Sequence, residues 1–191
     1  MTTEATDVIE QPSTSMSWGE VAVRIANHIA SEGFGRGDLA ALRRMDPESP
    51  DAAAFWRLTA RYDVLRGAES ERRWGLVLHG IALMTRTGGE DASGRSAHVR
   101  GMSVGRMLFS GGDADRTSAF YSESRFNRLL TARGSMLRTL LARMFRMMAA
   151  ADVRFDWYQM SQLILREGES AERVRRSIAR DYYWAENRAN R

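Results

Sequence analysis

Cysteine is absent from the 191-residue chain, and so is lysine: all 28 basic side chains are arginine. Without cysteine there is no disulfide, no thiolate-bound zinc or iron–sulfur cluster, and no thiol nucleophile. Without lysine there is no Walker A phosphate loop and no Schiff-base chemistry. No apolar run approaches the roughly 18 residues of a membrane span. The N-terminus has no basic segment leading into an apolar core, as a secretory signal would. A cytoplasmic location with no membrane partner is therefore expected. What is present is 43% hydrophobic and 27% charged residues, a soluble globular balance for one domain or two small ones.

Charge is modest in sum, +4, but unevenly placed. Residues 1–19 carry three acids and no base. Residues 124–151 carry Arg125, Arg128, Arg133, Arg138, Arg143 and Arg146 and no acid. Each arginine is a planar fork of donors suited to phosphate. Exposed protein faces ordinarily mix signs and gain from pairing, so an acid-free run of this kind points to a polyanion.

The periodicity predicts an all-α fold of about nine helices in two helical-bundle lobes, with no sheet. Residues 1–16 read as a disordered acidic tail. The N-terminal lobe spans 17–86. Ser17 and Glu20 make a capping box ahead of its first helix, a short helix follows at Asp38–Met45, Ser49-Pro50 marks a third start, and Ser70 a fourth. Residues 87–101 have no period and read as an irregular connecting loop. The basic C-terminal lobe, 102–191, holds a short helix at Ser103–Phe109, one at about Thr117–Ala132, and a long one at Ser135–Ala150. Asp156 and Ser170 open the last two. Val153–Trp157 alone hints at strand alternation.

On a helical wheel the 135–150 segment separates cleanly. With Arg138 at zero, Arg146 lies near 80° and Arg143 near 140°. Met136, Leu137, Leu140, Leu141, Met144, Phe145, Met147 and Met148 fill the other side. Arg125 and Arg128 sit one turn apart on the preceding helix, with Phe126, Leu129 and Leu130 directed elsewhere. In the last helix, Glu172 pairs with Arg176 by spacing, and Asp181 and Glu186 interleave with arginines, which reads as solvation. Tyr182, Tyr183 and Trp184 are ring systems that can stack on bases, but three consecutive residues span every face of a helix, so at least one faces the core, and packing is the favoured reading.

No enzyme constellation emerges. Gly101-Met102-Ser103-Val104-Gly105 matches G-x-S-x-G, but a nucleophile elbow needs a preceding strand and a following histidine. His28, His79 and His98 all precede Ser103, which reads as an N-cap. Gly33, Gly35 and Gly37 follow a helix and lack the dinucleotide spacing. Asp113 and Asp115 lack further metal ligands. No catalytic residue, metal or cofactor is expected.

Taken in order, Gly37–Met45 (GDLAALRRM), Phe55-Trp56, Gly80–Met84 (GIALM), Ser103–Leu108 (SVGRML), Ser124–Arg133 (SRFNRLLTAR), Asp156-Trp157 and Ile178–Tyr183 (IARDYY) resemble the CasB family. These are the small subunits of the type I-E CRISPR surveillance complex Cascade. The resemblance runs from about Trp18 to Ala185. It implies a non-enzymatic helical subunit of an RNA-guided antiviral complex, with two copies stacked head to tail. Its implied partners are the backbone subunits around the guide RNA, the large subunit, and the displaced DNA strand held while the R-loop stays open. By matching stretch it implies phosphate contacts at Arg43, Arg44, Arg106, Arg125, Arg128 and Arg133, with Arg138, Arg143 and Arg146 added by the basic helix. Two alternatives stay open: a helical sequence-specific DNA-binding regulator, and a scaffold subunit touching only protein.

Overall fold

The computed structural model describes residues 16–86 and 95–191. The expected tail, apart from Met16, and most of the expected connecting loop lie outside them. Among the described residues there are nine α-helices and no strand: α1 (Trp18–Ala30), α2 (Arg36–Arg44), α3 (Ala53–Arg61), α4 (Ala68–Met84), α5 (Val104–Ser110), α6 (Glu123–Thr131), α7 (Gly134–Ala150), α8 (Trp157–Leu165) and α9 (Gly168–Ala189). The all-α class is as the periodicity predicts.

Side-chain caps set three of the helix starts. The Glu20 N–H donates to Ser17 Oγ at 3.4 Å while the Ser17 N–H donates to Glu20 Oε2 at 2.8 Å, the reciprocal box that the sequence predicts. Ser103 Oγ accepts from the Arg106 N–H at 3.3 Å, and Asp156 Oδ1 from the Tyr158 N–H at 2.9 Å. Elsewhere turn geometry and, for α6, a tertiary contact move the boundaries. Ser70 lies inside α4; its hydroxyl accepts from the Arg66 N–H and donates to the Gly67 carbonyl, closing the turn before the helix. Helix α9 begins at Gly168, whose φ of +56° suits glycine. Helix α6 starts at Glu123 rather than near 117, because the Phe120 and Tyr121 N–H groups donate to the Phe109 and Leu108 carbonyls at 2.7 and 2.8 Å. Those bonds hold the segment before α6 against the end of α5. The hint of a strand at 153–157 resolves into a single bridge, His98 to Phe155.

Apolar packing crosses between the two expected lobes: α1 lies against α8, and α4 against both α7 and α8, while α5 lies against α9. One apolar cluster runs from Val21 to Ala185, with Trp74, Phe55, Phe126, Phe145, Phe155, Trp157 and Tyr182 fully buried in it. Tyr182 stacks on Phe126 with ring centroids 4.0 Å apart, and its hydroxyl donates to the Tyr121 carbonyl at 2.8 Å. Burial pushes that phenol well above its ordinary pKa. Two glycines record how closely the helices approach. A Cβ on Gly105 would stand 2.0 Å from the Ile178 carbonyl oxygen, so α5 touches the backbone of α9. One on Gly80 would stand 2.6 Å from both the Phe145 and Trp157 rings.

The described part of the connecting loop is irregular and pinned. The Val99 N–H donates to the Phe155 carbonyl, the Gly101 N–H to Asp156 Oδ2, and the Trp157 N–H to His98 Nδ1. These bonds fix the start of α5 beside the start of α8.

Candidate nucleic-acid interface

Helix α7 packs its apolar side on α4, and its polar side holds two kinds of arginine. Arg143 and Arg146 are exposed, with no carboxylate within ion-pair distance among the described residues. They sit three residues apart and so neighbour each other on one face. Arg146 also lies near enough to His79 of α4 for its charge to act on the imidazole. That ring is held below its ordinary pKa, first by burial; Nδ1 meets the Leu42 carbonyl at 3.1 Å.

Arg138 is different. Its side chain is only 12% exposed. Nε and Nη2 donate to the two carboxylate oxygens of Glu48 at 2.6 and 3.0 Å, and Nη1 donates to Glu69 at 3.0 Å. The Glu48 bond leads in raising the Arg138 pKa, against burial; burial works to raise Glu69, but the bond from Arg73 and then the charge of Arg138 hold it below its usual value. Arg133, the N-cap residue of α7, donates to the Leu130 and Ala132 carbonyls and to Glu172 at 2.7 Å. Buried Arg175 reaches the same carboxylate at 3.0 Å. The acid-free run in sequence is therefore not acid-free in space. Glu48, Glu69 and Glu172 arrive from other elements and neutralise its two members nearest the start of α7.

Helix α6 presents Arg125 and Arg128 to solvent while Phe126 and Leu129 face the core. Neither arginine has a carboxylate partner among the described residues. Arg43 is half-buried, its Nε and Nη2 donating to the Ala82 and Thr85 carbonyls at 2.8 and 2.6 Å. It satisfies the open C-terminal end of α4, and burial lowers its pKa. Arg44 beside it is exposed. Arg106 is exposed on α5 and lies over the Trp184 ring at 5.0 Å.

Of the nine arginines named from sequence, six are thus open: Arg44, Arg106, Arg125, Arg128, Arg143 and Arg146. Arg43, Arg133 and Arg138 bind the protein itself. The sequence reading of the C-terminal half of α9, charges as solvation and aromatics as packing, holds for Tyr182 but not for Trp184, which is exposed with the Arg188 guanidinium 5.7 Å over its ring. The signal was the spacing Arg180–Trp184–Arg188, which places all three on one face.

Ser103 is engaged as a cap, and its hydroxyl donates to Asp181 at 2.7 Å. Among the described residues no three His, Asp or Glu side chains come together in a metal-holding group, and no helix is long and apolar enough to cross a membrane.

Geometry of this kind defines an all-helical protein with exposed arginines free of carboxylate partners on α6 and on α7, among the described residues. The chain belongs to the CRISPR-associated protein Cse2 family, whose model matches residues 38–183. This agrees with the resemblance carried by the ordered stretches. Two solved structures are similar in fold. A chain of the E. coli Cascade complex bound to a PAM-containing dsDNA target has a TM-score of 0.58 at 20% identity, covering 86% of this chain and 96% of that one. CasB from Thermobifida fusca has a TM-score of 0.57 at 19% identity, covering 88% of this chain and 99% of that one. Among curated proteins, none matches the sequence.

Proposed function

We propose that the chain is a non-catalytic small subunit of a Cascade-type CRISPR surveillance complex in the cytoplasm, and that it holds the displaced DNA strand by its phosphates. The reading rests on family membership, on a similar chain found in a DNA-bound Cascade complex, and on one observation above all. Arg125, Arg128, Arg143 and Arg146 are exposed with no carboxylate partner among the described residues. Arg44 and Arg106 are open in the same sense and extend the candidate surface.

The mechanism needs no reactive group. Pairing of guide RNA with one DNA strand replaces a duplex of about equal stability. A protein that binds only the released strand biases that exchange toward the open state, and arginine–phosphate contacts do so without reading sequence. On this reading the neighbours are the backbone and large subunits, a second copy placed head to tail, and the guide ribonucleoprotein. Co-purification tests the assembly: the tagged chain should bring down a ribonucleoprotein containing a short repeat-derived RNA. A chain recovered free of RNA and of other subunits from a host that expresses the whole complex would contradict it.

A further inference from the structure

We propose a second contact surface on α9, a single-strand track in which Trp184 is a stacking platform for one base. It shares with the previous reading the kind of ligand, a nucleic-acid strand, the arginine–phosphate contact, and Arg106; the helix and the stacking chemistry differ. Arg173, Arg176, Arg180, Trp184 and Arg188 are all exposed. At 100° per residue they occupy a stripe about 120° wide along the helix. Arg173, Arg176 and Arg180 advance by about 4.5–6 Å each, and Trp184 stands midway in the roughly 12 Å between Arg180 and Arg188, a spacing that the phosphates of an extended strand can follow.

The helix's acids are largely drawn off this stripe. Glu172 is held by Arg133 and Arg175. Asp181 accepts from Ser103 at 2.7 Å and lies 3.5 Å from Arg180 Nε, whose side chain stays 77% exposed. Glu186 lies on the opposite side, and Glu169 in the first turn, where the helix end favours an acid.

Trp184 is the second observation. Its neighbour Tyr182 does the packing, fully buried against Phe126 and Phe109. Trp184 itself is 49% exposed, with Arg106 and Arg188 guanidinium carbons 5.0 and 5.7 Å from the ring. It forms one wall of an open groove of about 520 Å³, lined also by Met102 and Arg116, with Asp113 and Asp115 among its lining residues. Phosphate is repelled by those carboxylates and drawn to the arginines of α5 and α9. Both guanidinium groups lie over the ring, so a base that stacks on the indole takes the place of one of them, and the displaced arginine is left beside the flanking phosphate. Stacking on an aromatic ring accepts any base, but it requires an unpaired one.

The test uses the purified full-length chain, a labelled oligo-dT, and an abasic oligonucleotide of the same length, followed by fluorescence anisotropy. The intact protein should bind oligo-dT on the order of tenfold tighter than the abasic strand. Trp184→Ala should abolish that preference while leaving abasic binding unchanged, and Trp184→Phe should keep most of it. Arg176→Ala with Arg180→Ala should weaken both strands and lower the salt slope by about 1.4, from about 0.7 per contact. Equal binding of the two strands by the intact protein would overturn the proposal, as would a preference that survives Trp184→Ala. Substituting Arg125, Arg128, Arg143 and Arg146 leaves the oligo-dT to abasic ratio intact if both surfaces are used. If that substitution changes no affinity while Trp184→Ala does, the earlier reading fails and this one stands.

Discussion

Replacing Arg138 by alanine separates an arginine that holds the fold from one that holds a ligand. The side chain makes three charge-assisted hydrogen bonds, two to Glu48 and one to Glu69, and is 12% exposed. Exposed ion pairs contribute about 0.2–1 kcal/mol, and a hydrogen bond to a charged group about 1.5–3 kcal/mol. Both glutamates are more than a third exposed, so water takes over part of what they lose. A loss of about 2 kcal/mol follows, and in a chain of this length that lowers the melting temperature by about 4–8 °C. Glu48→Gln should cost a similar amount, and a double-mutant cycle should return a coupling of about 1 kcal/mol or more. The readouts are thermal denaturation by circular dichroism and a salt titration of single-strand binding. Arg138→Ala should leave the salt slope of binding unchanged. A variant that melts within about a degree of the intact protein yet loses about 0.7 from the salt slope would show that Arg138 leaves Glu48 for phosphate, refuting the reasoning.

Three further outcomes are expected. Gly105→Ala drives a methyl group to within 2.0 Å of the Ile178 carbonyl oxygen, so it should destabilise by about 3 kcal/mol or more and show as a lower melting temperature; a neutral result would mean that α5 and α9 are not in backbone contact. Ser103→Ala removes the α5 cap and the bond to Asp181; it should cost about 1–2 kcal/mol by chemical denaturation, and a Ser103-dependent hydrolase activity would contradict the assignment. His28, His79 and His98 are each held below the ordinary imidazole value, first by burial. They stay neutral in the fold while the unfolded chain takes up protons below about pH 6.5, so stability should be flat above that pH and fall as pH drops through it. Melting temperatures across this range should show the decline, and His79→Gln, at the most buried of the three sites, should lessen it most.

Local signals in the sequence survived because their partners are local. The Ser17–Glu20 box and the Ser103 and Asp156 caps involve residues within one turn of each other, the two-sided wheel of α7 lies within a single helix, and folding leaves them in place. The wheel failed at its edge: Met136, counted with the apolar side, is 55% exposed while the adjacent Leu137 is 8% exposed, so the buried side of α7 is narrower than the wheel drew it. Charge was read along the chain, whereas neutralisation acts through space. Nothing near Arg138 in sequence announces Glu48, which lies 90 positions away, and nothing near Arg133 announces Glu172. Arg43 was placed with Arg44, yet one helical step turns it toward the carbonyls that end α4. Trp184 illustrates the same limit in reverse. That one of three consecutive aromatics must be core was legible; that Tyr182 takes the role and Trp184 is left beside Arg106 depends on where α5 crosses α9.

The most direct measurement of the central claim is the lifetime of the R-loop in the assembled complex carrying Arg125→Ala, Arg128→Ala, Arg143→Ala and Arg146→Ala together, followed across a salt series. Their side chains point to solvent, so the variant should assemble and melt as the intact protein does. If all four contact the released strand, the salt slope of its retention should fall by about 2.8, and the R-loop should close faster on every target sequence alike. An R-loop as long-lived as that of the intact complex at every salt concentration, in a complex that contains the folded variant, would contradict the claim and assign these four arginines to protein or to solvent.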